Sequence, residues 1–287
     1  MKILYITKGD HVDYQNDCLL IGLKELFGAD VVDYNKQSHN YVTYDEQAAK
    51  KLYGMGMSVT RVLPDLDVDR TDITSKIKNK YFNLIVYGSI WRCNDYINEI
   101  LKYYSPNKVI AVDGEDEINI HPSFNLGILY FKRELISKYN RMFPISFAIP
   151  TTKVNFNKNK TKNFAHITPL DKSTYIYNNE LDYYKDYSEA RFGTTLKKAG
   201  WDCMRHYEIL ANGCLPYFLN LEKCPELTMQ SFPKQLCISV LEQIGKTSAE
   251  KVYTDLIDKV EEHVLNNNTT KALANYFINT IISYETL

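Results

Sequence analysis

KILYITKGDHVDYQNDCLLIGLKELFGADVVDY runs from Lys2 to Tyr34, and the order of its patterns sets the fold class. The apolar run at 2–7 reads as a buried strand that passes into a polar loop at 8–17. An amphipathic helix is predicted over 18–28, with Gly28 able to end it. Residues 29–34 form a second apolar strand. Strand, loop, helix, strand opens a parallel α/β sheet, because parallel neighbours need a crossover connection. The runs at 81–89, 108–117 and 126–134 are as densely apolar, as strands buried on both faces should be. A helix is predicted over 94–104.

The pattern changes after PISFAIP (144–150). Residues 151–163 are lysine-rich and poor in large apolar side chains, and read as an exposed connection between domains. The second half resumes with FAHITPL and ARFGTTL, then offers a helix over 201–212, a strand at 214–219, and C-terminal helices over 248–265 and 270–284. The expected fold is therefore α/β, with two Rossmann-like domains, parallel sheets and a helical C-terminus. The domains are expected at 1–150 and 151–287.

Lys and Arg number 34 against 35 Asp and Glu, so no global positive field favours a nucleic-acid partner. The six cysteines form no CxxC pair and no zinc-like cluster, and read as reduced thiols. The N-terminus lacks a signal-peptide pattern. No run approaches the ~20 apolar residues of a membrane span. A cytoplasmic location is expected.

KKAGWDCMRHYEILANGCLPYF (197–218) is the stretch richest in chemistry. On a helical wheel Arg205, Glu208 and Asn212 share a narrow sector, opposite Cys203, Tyr207, Leu210 and Ala211. That sector is either a solvated face or one aimed at a ligand. Lys197 and Lys198 precede the helix, and Gly193, Thr194 and Thr195 read as a small hydroxylated loop before them. Helix N-termini suit phosphate, and a glutamate two turns in can accept ribose hydroxyls. Asp202 reads as an N-terminal helix acid. His206 points away from the sector and reads as structural.

GWDCMRHYEILANGCLPYF resembles the donor-binding segment of GT-B-type glycosyltransferases, including exostosin-like and group-1-like enzymes. DYQNDCLLIGLKELFGADVVDY, LYGMGM, VDGEDE and YFKREL are similar to the N-terminal half of proteins sharing that segment. The resemblance spans roughly 1–235, and at 287 residues one or both domains would be trimmed. It implies a hexosyl- or pentosyltransferase moving a sugar from a nucleotide-sugar donor to a hydroxyl acceptor, a glycan, with no metal cofactor. Carried over by position, Lys198 and Arg205 would meet the diphosphate and Glu208 the ribose. Thr194 and Thr195 would contact phosphate, and Arg191 completes the donor-binding set.

A sugar acceptor needs a general base if the anomeric centre is inverted. The loop after the first strand supplies His11, Asp13 and Asp17, and in sheets of this class ligands gather outside the carboxyl ends of strands. Asp17 fits the N-cap of the helix over 18–28. Asp13, ahead of His11, is then the candidate base. Two other readings compete. Asp113, Glu115 and Asp116 loosely match the DxD of metal-dependent GT-A transferases. The chain could also be a nucleotide- or glycan-binding module without turnover.

Overall fold

The computed structural model describes residues 1–9 and 11–285. Its elements, short 3-10 turns aside, are β1 (Ile3–Ile6), α1 (Tyr14–Phe27), β2 (Val31–Tyr34), α2 (Glu46–Ala49), α3 (Ile73–Lys78), β3 (Leu84–Tyr87), α4 (Ile97–Ile100), β4 (Val109–Asp113), β5 (Leu129–Lys132), β6 (Met142–Pro144), β7 (Lys162–Phe164), α5 (Glu180–Glu189), β8 (Ala190–Leu196), α6 (Met204–Ala211), β9 (Leu215–Leu219), α7 (Lys234–Gln243), α8 (Ala249–Asn267) and α9 (Thr270–Glu285).

Six parallel strands form one sheet in the order β2-β1-β3-β4-β5-β6, and three form a second in the order β7-β8-β9. The chain is α/β, with two Rossmann-like units built on parallel sheets and a helical C-terminus. Period-two alternation explains the dense apolar runs. Leu4, Ile6, Ile85 and Tyr87 pack into one core, while Ile3, Tyr5, Leu84 and Val86 pack into another on the opposite face. The second of these cores runs on without a break into Tyr207, Leu210, Leu215 and Phe218.

The strand order reverses between β1 and β3, because the chain leaves β1 for β2 on one side and returns to β3 on the other. Loops diverging from such a switch point leave a crevice at the carboxyl ends of the strands. Residues 7–9, 11–13 and 88–92 occupy it. The chain also closes on its beginning, since α9 packs across α1. A Cβ added at Gly22 would lie 2.0 Å from the Thr270 carbonyl oxygen, so only glycine permits this crossing.

Several local expectations change. Asp13, not Asp17, caps α1: its backbone is extended and its Oδ1 accepts from the Asn16 N–H at 3.2 Å. Asp17 lies inside the helix, fully buried, with His39 Nε2 at 3.0 Å. Gly193, Thr194 and Thr195 are not a loop but the middle of β8, as the β-branched threonines favour. The helix predicted over 201–212 begins only at Met204, after Cys203 in extended conformation. That predicted over 94–104 shrinks to the four residues of α4, preceded by Tyr96 at φ 62°. The stretch expected as a connection ends in the edge strand β7.

Candidate functional site

The carboxyl ends of both sheets contribute to one cleft. Two cavities share it, one of about 330 Å³ and one of about 460 Å³. Tyr14, Tyr53, Lys198, Cys203 and Met204 line both.

The first unit supplies a polar wall at its switch point. Asp13 sits at the start of α1, where its capping role fixes the carboxylate. Its Oδ2 accepts from Ser89 Oγ and from Arg92 Nε, each at 2.8 Å. The Arg92 guanidinium is a three-way tie. Besides Asp13, it places Nη1 at 2.8 Å from His11 Nε2 and Nη2 at 3.2 Å from Glu115 Oε1. Loops after β1, β3 and β4 are thus joined through one side chain. His11 is exposed at the mouth of the larger cavity.

The second unit supplies Lys198, Arg205 and Glu208. Lys198 is exposed in the loop after β8. Arg205 lies over the Tyr175 ring, 4.9 Å from its centroid, and its Nη1 donates to the Tyr175 hydroxyl at 2.9 Å. Glu208, on the next turn of α6, is buried. Its Oε2 accepts from Tyr183 OH at 2.6 Å and its Oε1 from Ser58 Oγ. Burial pushes the Glu208 carboxyl up, against the opposing pull of these donors and of Arg205. Ser58 belongs to the first unit, so this bond crosses the cleft. Its backbone has φ 63°, and its N–H donates to Glu180 Oε2 at 2.5 Å. A side chain held in the left-handed region is strained and needs surroundings that fix it.

The other expected donor contacts are not at this place. Thr195 is buried within β8, its Oγ1 2.9 Å from His206 Nδ1. His206 is itself buried and pushed down to about 3 by burial, so it is neutral and structural, as its wheel position implies. Thr194 lies mid-strand and lines neither cavity. Arg191 lies at the amino end of β8, away from the cleft, in a separate cavity.

Asp113, Glu115 and Asp116 do not converge. Asp113 is fully buried and accepts from Tyr130 OH at 2.6 Å and Lys132 Nζ at 3.0 Å. Glu115 meets Arg92, and Asp116 meets Arg133. Among the described residues no group of three His, Cys, Asp or Glu side chains is arranged to hold a metal ion. The three carboxylates of the competing DxD reading make three separate ion pairs instead.

Three sequence motifs meet at Arg133. Its Nε donates to the Gly114 carbonyl at 2.9 Å, Nη1 to the Asp202 carbonyl at 2.6 Å and to Glu134 Oε1 at 3.2 Å, and Nη2 to Asp116. Asp202 is therefore no helix-terminal acid. Its Oδ2 accepts from the Phe147 N–H at 2.8 Å. A Cβ on Gly200 would come within 2.6 Å of Glu134 Oε1, so glycine lets the loop before α6 lie on this cluster. VDGEDE, YFKREL and GWDC thus form one buried network that anchors the cleft floor.

No protein-family model matches the chain, and no curated protein matches it. Among solved structures it is similar to an alpha-glucosyltransferase in complex with UDP and a 13-mer DNA containing a central A:G mismatch, at 10% identity over 98% of each chain, with a TM-score of 0.49. Among the described residues no helix is long and apolar enough to cross a membrane.

Sequence reading missed Arg92, Ser58, Tyr175 and Tyr183. Ser58 stands 150 positions from Glu208, and no local pattern announces such a pair. Arg92 carried one signal: a cation just past the carboxyl end of an apolar strand.

Proposed function

We propose that the protein is a glycosyltransferase that moves a hexosyl or pentosyl group from a nucleotide-sugar donor to a hydroxyl of a glycan acceptor. One observation carries this reading. The carboxyl ends of two parallel sheets open into one cleft, with cations and a buried carboxylate on one wall and an anchored carboxylate on the other. The second-unit wall suits a donor: Lys198 and Arg205 for the diphosphate, Glu208 for ribose hydroxyls. Each Glu208 oxygen keeps a lone pair beyond its bond to Ser58 or Tyr183, so a ribose can share or replace those donors. The first-unit wall suits the acceptor. Asp13 would take the hydroxyl proton as the oxygen attacks the anomeric carbon and the nucleoside diphosphate leaves. Asp13 Oδ2 already holds two donors, so the acceptor hydroxyl uses the open lone pair of Oδ1 or displaces Arg92 or Ser89. His11 is the alternative base, and its Nε2 faces the same guanidinium.

Calorimetric titration of nucleoside diphosphates and nucleosides tests the donor assignment. Hydrogen bonds to charged groups are worth roughly 1.5–3 kcal/mol, so Glu208→Ala should weaken both ligands on the order of ten- to a hundredfold. Arg205→Ala should weaken the diphosphate far more than the nucleoside. Unchanged affinity in both variants would return α6 to a purely structural helix. Diphosphate binding without turnover across a sugar-nucleotide panel would leave a binding module in place of an enzyme.

A further inference from the structure

Arg191 shares a cavity of about 270 Å³ with Lys158 and Lys160, beside the first turns of α8. Arg191 and Leu196 bracket most of β8, so roughly 16 Å of strand lies between this cavity and the cleft.

The cations here differ in how they are matched. Lys158 is taken by Asp258 at 2.8 Å and Glu261 at 2.6 Å. Lys160 has only neutral acceptors: its Nζ donates to the carbonyls of Ser188 at 2.8 Å and Asn212 at 3.1 Å. Arg191 Nη1 donates to Asn163 Oδ1 at 3.3 Å, and its Nε is buried without an acceptor. Among the described residues neither Lys160 nor Arg191 has a carboxylate within ion-pair distance. Burial, with the like charge of Arg191 adding to it, pulls the Lys160 ammonium down to about 8. Two carboxylates face the cavity. Asp258 is already matched by Lys158, and Glu250 is exposed at the rim.

Two half-buried cations side by side without a counter-ion are unfavourable, and an orphaned guanidinium N–H adds to the cost. A tetrahedral dianion in the cavity supplies the missing counter-charge. It accepts from the terminal Nη groups of Arg191 and from the one N–H of the Lys160 ammonium that no carbonyl takes. We propose that this cavity is a second anion site, apart from the cleft, that binds a phosphate group between Lys160 and Arg191. Inorganic phosphate and phosphate monoesters share the required chemistry.

Calorimetric titration at fixed ionic strength and pH 7 decides it, with inorganic phosphate in one arm and glycerol phosphate in the other. The intact chain should bind at least one of them, and the arm that binds more tightly identifies the source. Arg191→Gln should weaken that binding at least tenfold, while Arg205→Ala in the cleft should leave it within about twofold. Arg191→Gln removes one hydrogen bond to Asn163, so it is the deciding variant; Lys160→Gln also strips two carbonyls of their donor. Absence of binding in the intact chain overturns the proposal. So does phosphate binding that survives Arg191→Gln but vanishes with Arg205→Ala.

Discussion

Arg133, at the end of the first sheet's β5, donates from Nη1 to the main-chain oxygen of Asp202, 2.6 Å away in the loop that leads into α6. The same guanidinium holds Gly114, Asp116 and Glu134. One buried side chain therefore ties the loops after β4 and β5 to the helix that carries Arg205 and Glu208. Removing one partner of a buried charge network leaves the others uncompensated, at a cost of about 3–5 kcal/mol. Arg133→Met should lower stability by that order in urea unfolding. A loss under 1 kcal/mol would show that the network is dispensable.

The Asp202 carboxyl is pushed up to about 6 by burial, against the pull of Arg133. An acid whose folded pKa exceeds its unfolded value of about 3.8 binds its proton more tightly when folded. Its contribution to stability is complete below about pH 4 and is lost as pH rises through 6. The span is about 2 pH units, or about 3 kcal/mol. Asp202→Asn should flatten the stability profile between pH 4 and 6. An unchanged slope in that window would rule out Asp202 as its source.

Ser58 and Glu208 test whether the loop at 53–58 and α6 act together. Ser58→Ala removes the hydroxyl that donates across the cleft but leaves the Glu180 contact of the backbone N–H. It should cost about 1–3 kcal/mol of stability, since Glu208 Oε1 loses its donor in a buried place. Nucleoside affinity should change by less than tenfold, because the freed lone pairs remain open to ribose. A hundredfold loss would mean that Ser58 itself contacts the ligand.

Asp13→Asn keeps the N-cap, because asparagine caps as well as aspartate. It removes the negative charge that Arg92 holds and the capacity to take a proton. General-base catalysis is worth about a hundred- to ten-thousandfold, so turnover should fall within that range while donor affinity stays within about twofold. Normal turnover would move the role to His11, to be tested with His11→Ala.

Gly22→Ala probes the closure of the chain on itself. The new methyl would sit 2.0 Å from the Thr270 carbonyl oxygen, so α9 must move off α1. Overpacking of this kind costs about 1–3 kcal/mol. Thermal unfolding should show the loss, and no change would mean that the two helices are free to separate.

The fold class followed from local physics that a sequence carries by itself. Runs such as ILYI and VIAV are apolar at every position because parallel strands are covered on both faces, and helical spacing between them specifies crossovers. The wheel position of His206 marked it as structural, and burial keeps it neutral. What the sequence left open was how polar side chains are matched. Asp113, Glu115 and Asp116 are adjacent in the chain, yet strand alternation and turning send each to a different cation. Thr194 and Thr195 have loop-compatible chemistry, but pairing with β9 draws them into a strand. Asp17 fits a cap by its place before an apolar run, but the helix begins at Tyr14, so Asp13 takes that role. Arg191 lies in the same strand that leads to Lys198, and the length of β8 carries it to the far end of the sheet. Burial and ion pairing depend on where distant segments meet, as Ser58 meets Glu208, and that meeting is decided by tertiary packing alone.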